Sequence, residues 1–203
     1  MLKKEKTDLE PTELNSVTWG SDTVLESLDG IHKLAIKKAD DAITWYLFAR
    51  RSKKRWASCL RLFIIIAGSF AGILPILSQI LINNNGKPFI APAWASVFLG
   101  VAGAMLALDR FFGFSSGWIR YIAAELRLHQ LLEEFQLDWQ KEKINWKNET
   151  PDNKQVLKML DMAKSFITQV NEVVIKETND WINEFQSTLK NIEGLISTNR
   201  ENK

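Results

Sequence analysis

Residues 62–108 read LFIIIAGSFAGILPILSQILINNNGKPFIAPAWASVFLGVAGAMLAL, bounded by Arg61 and Asp109. These 47 residues carry one charge, Lys87, while the other 156 carry 49. The chain-wide 25% charged and 46% hydrophobic residues resemble a soluble domain, but that average describes neither part of the molecule. Charge is segregated in this way when one stretch must sit in hydrocarbon.

Lys87 divides the stretch into residues 62–86 and 88–108. As helices these reach roughly 37 and 31 Å, enough to cross a hydrocarbon core of about 30 Å. A buried hairpin of a soluble protein seldom stays uncharged for so long twice in succession. The first span is expected to be helical to about Ile82 and loosened near Pro75. Asn83-Asn84-Asn85-Gly86-Lys87-Pro88 then makes a polar turn, and Pro88 and Pro92 suit the entry and first turn of a second helix. Arg50, Arg51, Lys53, Lys54, Arg55 and Arg61 precede the first span, Arg110 and Arg120 follow the second, and the turn offers only Lys87. The positive-inside rule therefore places both termini in the cytoplasm, with Trp56, Trp94 and Trp118 near the interfaces. Met1-Leu2-Lys3-Lys4-Glu5-Lys6 holds no apolar stretch, so no cleaved signal peptide is expected.

Outside the hairpin the pattern is helical. Thr23-x-x-Glu26 fits a capping box, and Leu28, Ile31, Ala35, Ala42, Tyr46 and Ala49 follow at helical spacing. No Gly or Pro interrupts residues 31–67, so this helix is expected to continue into the membrane. Trp118, Tyr121, Leu128, Leu132, Phe135 and Trp139 form a second stripe. Thr150-Pro151-Asp152 marks a helix start, followed by Val156, Leu160, Ala163, Ile167, Val170, Val174, Trp181, Phe185, Leu189 and Ile192. The expected organisation is a flexible segment over 1–21, one domain over 22–196 and a tail over 197–203. Within the domain a cytoplasmic helix (22–59) leads to a first membrane helix (60–82), an outer turn (83–88) and a second membrane helix (89–109). Cytoplasmic helices over 110–147 and 151–196 follow. The fold class is an all-α membrane protein, a two-helix transmembrane hairpin continuous with a cytoplasmic helical bundle. Each helix carries an apolar stripe that must be buried within the chain or between chains; the expected assembly is a homo-oligomer.

Catalytic signals are sparse. There is no glycine-rich phosphate loop, no G-x-S-x-G elbow and no metal-spaced cluster of His, Asp or Glu. The single Cys59 excludes a disulfide framework, and a net charge of +2 argues against bulk nucleic-acid binding. No enzyme, metal or cofactor is expected. Two acids break the apolar stripes: Glu125 between Tyr121 and Leu128, and Glu177 between Val174 and Trp181. Each needs a cationic or hydrogen-bonding partner, either as a static internal pair or as a switch whose rupture frees a helix.

In the hairpin, Gly68-x-x-x-Gly72 and Ser96-x-x-x-Gly100-x-x-x-Ala104 allow close helix approach. Ser69, Gly72, Ile76, Gln79 and Asn83 share one face of the first span. Gln79 is costly against lipid, so it either bonds a neighbouring helix or lines a water-filled path. Two helices cannot enclose a pore, so conduction needs several copies, with a tetramer as a working number. Asp109-Arg110 is either a charged ring of the gate or an interface pair. The run that includes Arg50, Arg51 and Arg55 sets topology and meets anionic lipid. Alternatively, with Arg120 and Arg127, it holds the phosphates of a nucleotide.

This layout resembles the SLATT family, the two-transmembrane effector domain found with bacterial nucleotide-second-messenger synthases. The resemblance rests on Trp45-Tyr46 and the basic segment before the first span, then Trp118-Ile119-x-Tyr121-x-x-x-Glu125-Leu126, and Glu177-x-x-x-Trp181. It covers roughly residues 22–195. It implies a pore-forming effector of anti-phage defence: a gated ion channel in the bacterial inner membrane that depolarises the cell or arrests growth. The implied partners are membrane lipid, further copies of the chain and a nucleotidyltransferase encoded nearby, whose nucleotide or oligonucleotide product is the ligand. Trp45, Tyr46, Glu125, Glu177 and Trp181 are the family-like positions. The alternative is a non-conducting membrane scaffold that recruits a cytoplasmic partner through its late helix.

Overall fold

A computed structural model describes residues 19–20, 23–82, 88–146 and 150–201. The described residues form four helices, α1 (Val24–Ile80), α2 (Trp94–Phe112), α3 (Phe114–Asn145) and α4 (Asn153–Glu201), which gives the all-α class expected of a two-transmembrane domain. Packing groups the chain into two compact units. One comprises Met1–Arg50 and Ile119–Asp180, the other Arg51–Trp118 and Trp181–Lys203.

The helix boundaries refine the expectation in four places. α1 is a single 57-residue helix that retains Pro75, whose carbonyl accepts the Ser78 hydroxyl at 2.7 Å. At its start the Thr23 hydroxyl accepts the Gly20 N–H at 2.9 Å. α2 begins only at Trp94, because Pro88 and Pro92 both precede the helix rather than enter it. Before it, Phe89 N–H donates to the Leu81 carbonyl at 2.9 Å and Ile82 pairs with Pro88, closing the hairpin. Residues 83–87 of the expected polar turn lie outside the described residues.

The chain does not run straight from the second span into the next helix. Gly113, at φ 58°, ends α2 in the left-handed region, and its N–H bonds the Asp109 carbonyl. A side chain there would be strained, so glycine sets this elbow. Finally, α4 starts at Asn153 and reaches Glu201, so the expected tail is helical to that residue. Its cap is Asp152 rather than Thr150. The Asp152 carboxylate accepts the Gln155 N–H at 2.7 Å, while the Gln155 side chain accepts the Asp152 N–H at 2.8 Å. That reciprocal pair is a capping box, with Pro151 just ahead of it.

The first unit is held by a continuous apolar seam. Leu28, Ile31, Ala35, Ala39, Ala42 and Tyr46 of α1 meet Tyr121, Ala124, Leu128, Leu131, Phe135 and Trp139 of α3 and Met159, Ala163, Phe166 and Val170 of α4. The buried α4 positions recur at alternating three- and four-residue steps, the spacing of helices that pack side by side in a coiled coil. Alanines on α1 admit the bulk of Phe135 and Phe166, whose rings stack at 4.3 Å. Met159 and Phe166 were absent from the expected stripe, which drifted half a step to Leu160 and Ile167. His32 lies against Trp139 at 4.7 Å and Phe135 at 5.6 Å, and its Nε2 is buried without a hydrogen-bond partner among the described residues.

The second unit contains the hairpin. Ala67, Leu74 and Ser78 of α1 and Ala102 of α2 are buried, and Phe70 stacks on Phe98 at 5.3 Å. Trp56 faces Phe114 at 6.3 Å. Two candidate membrane helices carry apolar windows of mean hydropathy 2.2 and 1.6, only 11% and 6% buried. Apolar surface left exposed over such lengths fits lipid rather than a protein interior.

Two outcomes are expected for purified protein in detergent. Leu128→Ala empties a fully buried site and lowers unfolding free energy by about 2–5 kcal/mol, whereas Leu126→Ala, at an exposed position, changes it by about 0.5 kcal/mol or less. Burial holds the His32 imidazole below its ordinary value of 6.5. The unfolded chain therefore binds a proton that the folded chain resists, so stability is full above pH 6.5 and falls on acidification. Thermal unfolding from pH 8 to 5 checks this: His32→Gln should flatten the acid limb of the midpoint curve.

Candidate functional site

The seam of the first unit ends in charge. Continuing the α4 steps from Val170 through Val173 reaches Glu177, a carboxylate where the pattern calls for an apolar residue. Arg120 of α3 answers it, with Nε 3.6 Å from Glu177 Oε1 and both side chains largely shielded. One turn along α3, Glu125 is buried and accepts Arg50 of α1 at 2.5 Å. Both acids singled out by the sequence thus have arginine partners on another helix.

Aromatic rings pack around the pairs. Tyr46 is 1% exposed and meets Tyr121 at 5.5 Å, while Trp45 lies 5.0 Å from Tyr46 and 5.7 Å from Tyr121. Burial, reinforced by the Glu177 charge, raises both tyrosine hydroxyls above their ordinary value. They stay protonated and neutral at physiological pH. The arrangement fixes helix register, because a one-step slip would leave Glu177 facing apolar side chains.

The proposed ligand arginines separate. Arg50 and Arg120 are engaged with carboxylates, while Arg51 and Arg55 are exposed on α1. Arg127 lines a groove of about 190 Å³ with Arg120, Lys176, Glu177 and Asp180. That volume is below the roughly 300–1,000 Å³ of small-molecule sites, so the groove does not enclose a whole nucleotide.

In the second unit the face carrying Ser69, Gly72, Ile76 and Gln79 is exposed, opposite the buried Ala67, Leu74 and Ser78. Asn83 lies outside the described residues. The Ser69 hydroxyl donates to the Ile65 carbonyl at 2.8 Å, which satisfies it along its own helix. Gln79 has the cost of an exposed amide in an apolar span. A Cβ added to Gly68, Gly72 or Gly100 would meet nothing within 4 Å. The small-residue motifs therefore lie away from the contact between the two spans of one chain.

Asp109, a gate candidate, has a local task. Its carboxylate accepts the Ser115 N–H at 3.2 Å and the Ser115 hydroxyl at 2.6 Å, capping the start of α3 across the Gly113 elbow. Ser116 donates its hydroxyl to Glu184 of α4, and Phe111 meets Phe185 at 5.8 Å. Trp181 stacks on Phe185 at 5.7 Å and remains 44% exposed. The sequence signal of the elbow is Gly113 between two aromatic residues, with Asp109 ahead and two serines behind.

The family model described as SMODS and SLOG-associating 2TM effector domain 2 matches residues 8–199. No curated protein and no solved structure matches the chain.

The register argument has a direct test. Glu177→Leu removes the carboxylate partner of Arg120 and should cost about 3–5 kcal/mol, while Arg120→Leu with Glu177→Leu should restore stability to about the wild-type value. Denaturant midpoints of the single and double variants check it; equal loss in both would mean that the pair does not carry the register.

Proposed function

The chain belongs to the SMODS and SLOG-associating 2TM effector domain family, a membrane effector linked to defence systems, and on that premise we propose that it forms a gated ion channel in the bacterial inner membrane. Several copies surround a water-filled path. A nucleotide signal made by a partner nucleotidyltransferase opens it during phage infection, and ion flow depolarises the membrane and halts growth.

The observation that carries this reading is the exposed face of Ser69, Gly72, Ile76 and Gln79 in a span otherwise fit for lipid. A polar face at membrane depth is tolerated where it lines water or meets another helix, and among the described residues no second helix covers this side. The open faces of Gly68, Gly72 and Gly100 support close contact between copies. Cations at Arg50, Arg51, Lys53, Lys54, Arg55 and Arg61 support cytoplasmic placement of both termini. The first unit then receives the signal on the cytoplasmic side. In this reading the cations Arg127 and Lys176 beside the small groove meet one phosphate of the ligand, and the remainder lies between copies. The Arg120–Glu177 pair supplies a contact whose rupture would free α4 from α3, and the Arg50–Glu125 pair does the same between α1 and α3.

Purified protein in sealed, potassium-loaded vesicles should release potassium when the nucleotide product is added. Gln79→Leu should change the release rate while leaving oligomer mass unchanged. An unaltered rate would move the path to another face, and a stable monomer or no release with any nucleotide would exclude the channel in favour of a recruiting scaffold.

A further inference from the structure

Within the second unit α4 runs antiparallel to the end of α2. Glu184 bonds Ser116, Phe185 meets Phe111, and Thr188, buried at 8% exposure, shares a small cleft with Arg110. As α4 numbers rise, their neighbours' numbers fall towards the second span. The helix does not stop at this level: it continues unbroken to Glu201. At 1.5 Å per residue, Ser197 lies about 13 Å beyond Thr188, close to half the thickness of a hydrocarbon core of about 30 Å.

This last stretch is two-faced. Trp181, Phe185, Leu189 and Ile192 lie on one side, the side that Phe185 turns towards α2. Gln186, Lys190, Glu193 and Ser197 follow at four-, three- and four-residue steps on the other; all are exposed, as are Trp181, Leu189 and Ile192 of the apolar side. Beside the bilayer this polar side cannot face lipid cheaply, since Glu193 would be about 8 Å past the level of Arg110. A polar side at that depth is satisfied by water.

We infer that α4 from Leu189 onward enters the same half of the membrane as Arg110 and lines the inner mouth of the water-filled path with Lys190, Glu193 and Ser197. The inference rests on the channel reading and extends it: this segment supplies the inner mouth, and the Ser69–Gln79 face of α1 supplies the deeper part.

Site-directed spin labels test it without measuring flux. In a Cys59→Ser background, cysteines replace Ile192, Glu193 and Ser197 one at a time, and the labelled full chain is placed in phosphatidylglycerol-containing vesicles. Labels at 193 and 197 should collide with a water-soluble nickel chelate about threefold more than the label at 192, which should favour oxygen. Equal, high chelate collision at all three would put the segment in bulk water and overturn the inference. Oxygen-dominated collision at 193 and 197 would put that side in lipid and overturn it too. In the same vesicles Glu193→Lys should shift permeability from cations towards anions, and unchanged selectivity would argue against a lining role. Wet labels at membrane depth without ion release would uphold the placement of α4 and overturn conduction. Ion release with all three labels in bulk water would do the reverse.

Discussion

A hydrocarbon layer offers no hydrogen-bond partner to a backbone amide and no counterion to a charge, and this constraint shapes the hairpin before any tertiary contact forms. It removes charge from residues 62–108 except at Lys87. It also requires helices that satisfy their own backbones across the layer, as α1 and α2 do. The apolar side chains on these helices stay exposed because lipid is their solvent, and the few packed positions, Ala67, Leu74, Ser78 and Ala102, hold the hairpin together. Polar residues that remain on an outer face, Gln79 above all, then require water or another copy.

The first unit obeys the opposite solvent. Water drives its apolar seam together, and the seam stops at Glu177 because a carboxylate cannot be buried without a partner. Arg120 provides one, and Arg50 does the same for Glu125. Such pairs add little net stability against an apolar replacement, so their use lies in fixing one register among several. The family-like residues Trp45, Tyr46, Glu125 and Glu177 fall in or beside this polar end of the seam, whereas Trp181 belongs to the unit that holds the elbow.

Much of the fold was legible because its signals are long. Forty-seven residues with one charge, and apolar stripes repeated over many turns, leave few alternatives to a helical hairpin joined to amphipathic helices. Local breaks were harder to see. The Gly113 elbow depends on one left-handed residue, and the α4 start on a side-chain exchange between Asp152 and Gln155 that competes with the equally plausible Thr150. The α4 stripe slipped because Leu160 and Ile167 are as apolar as Met159 and Phe166, and only packing shows which are fully buried. For the candidate site, the need of Glu125 and Glu177 for partners was legible from their place in the stripes, but the identity of those partners was not. α1 alone carries four arginines and α3 two, and which of them meets a carboxylate depends on register. The same limit explains why Arg50 and Arg120, grouped in sequence as phosphate ligands, are instead held by carboxylates.

These elements make up a membrane effector domain: a register-pinned helical unit, an elbow at Gly113 tied to α4, and a hairpin with Gln79 on its outer face. The claim on which the account turns is that this assembly breaches the membrane. Its most direct measurement is the membrane potential of bacteria expressing the chain with its nucleotidyltransferase, followed by a voltage-sensitive dye through phage infection. The account predicts collapse of the potential before growth stops. Growth arrest with the potential intact would contradict it.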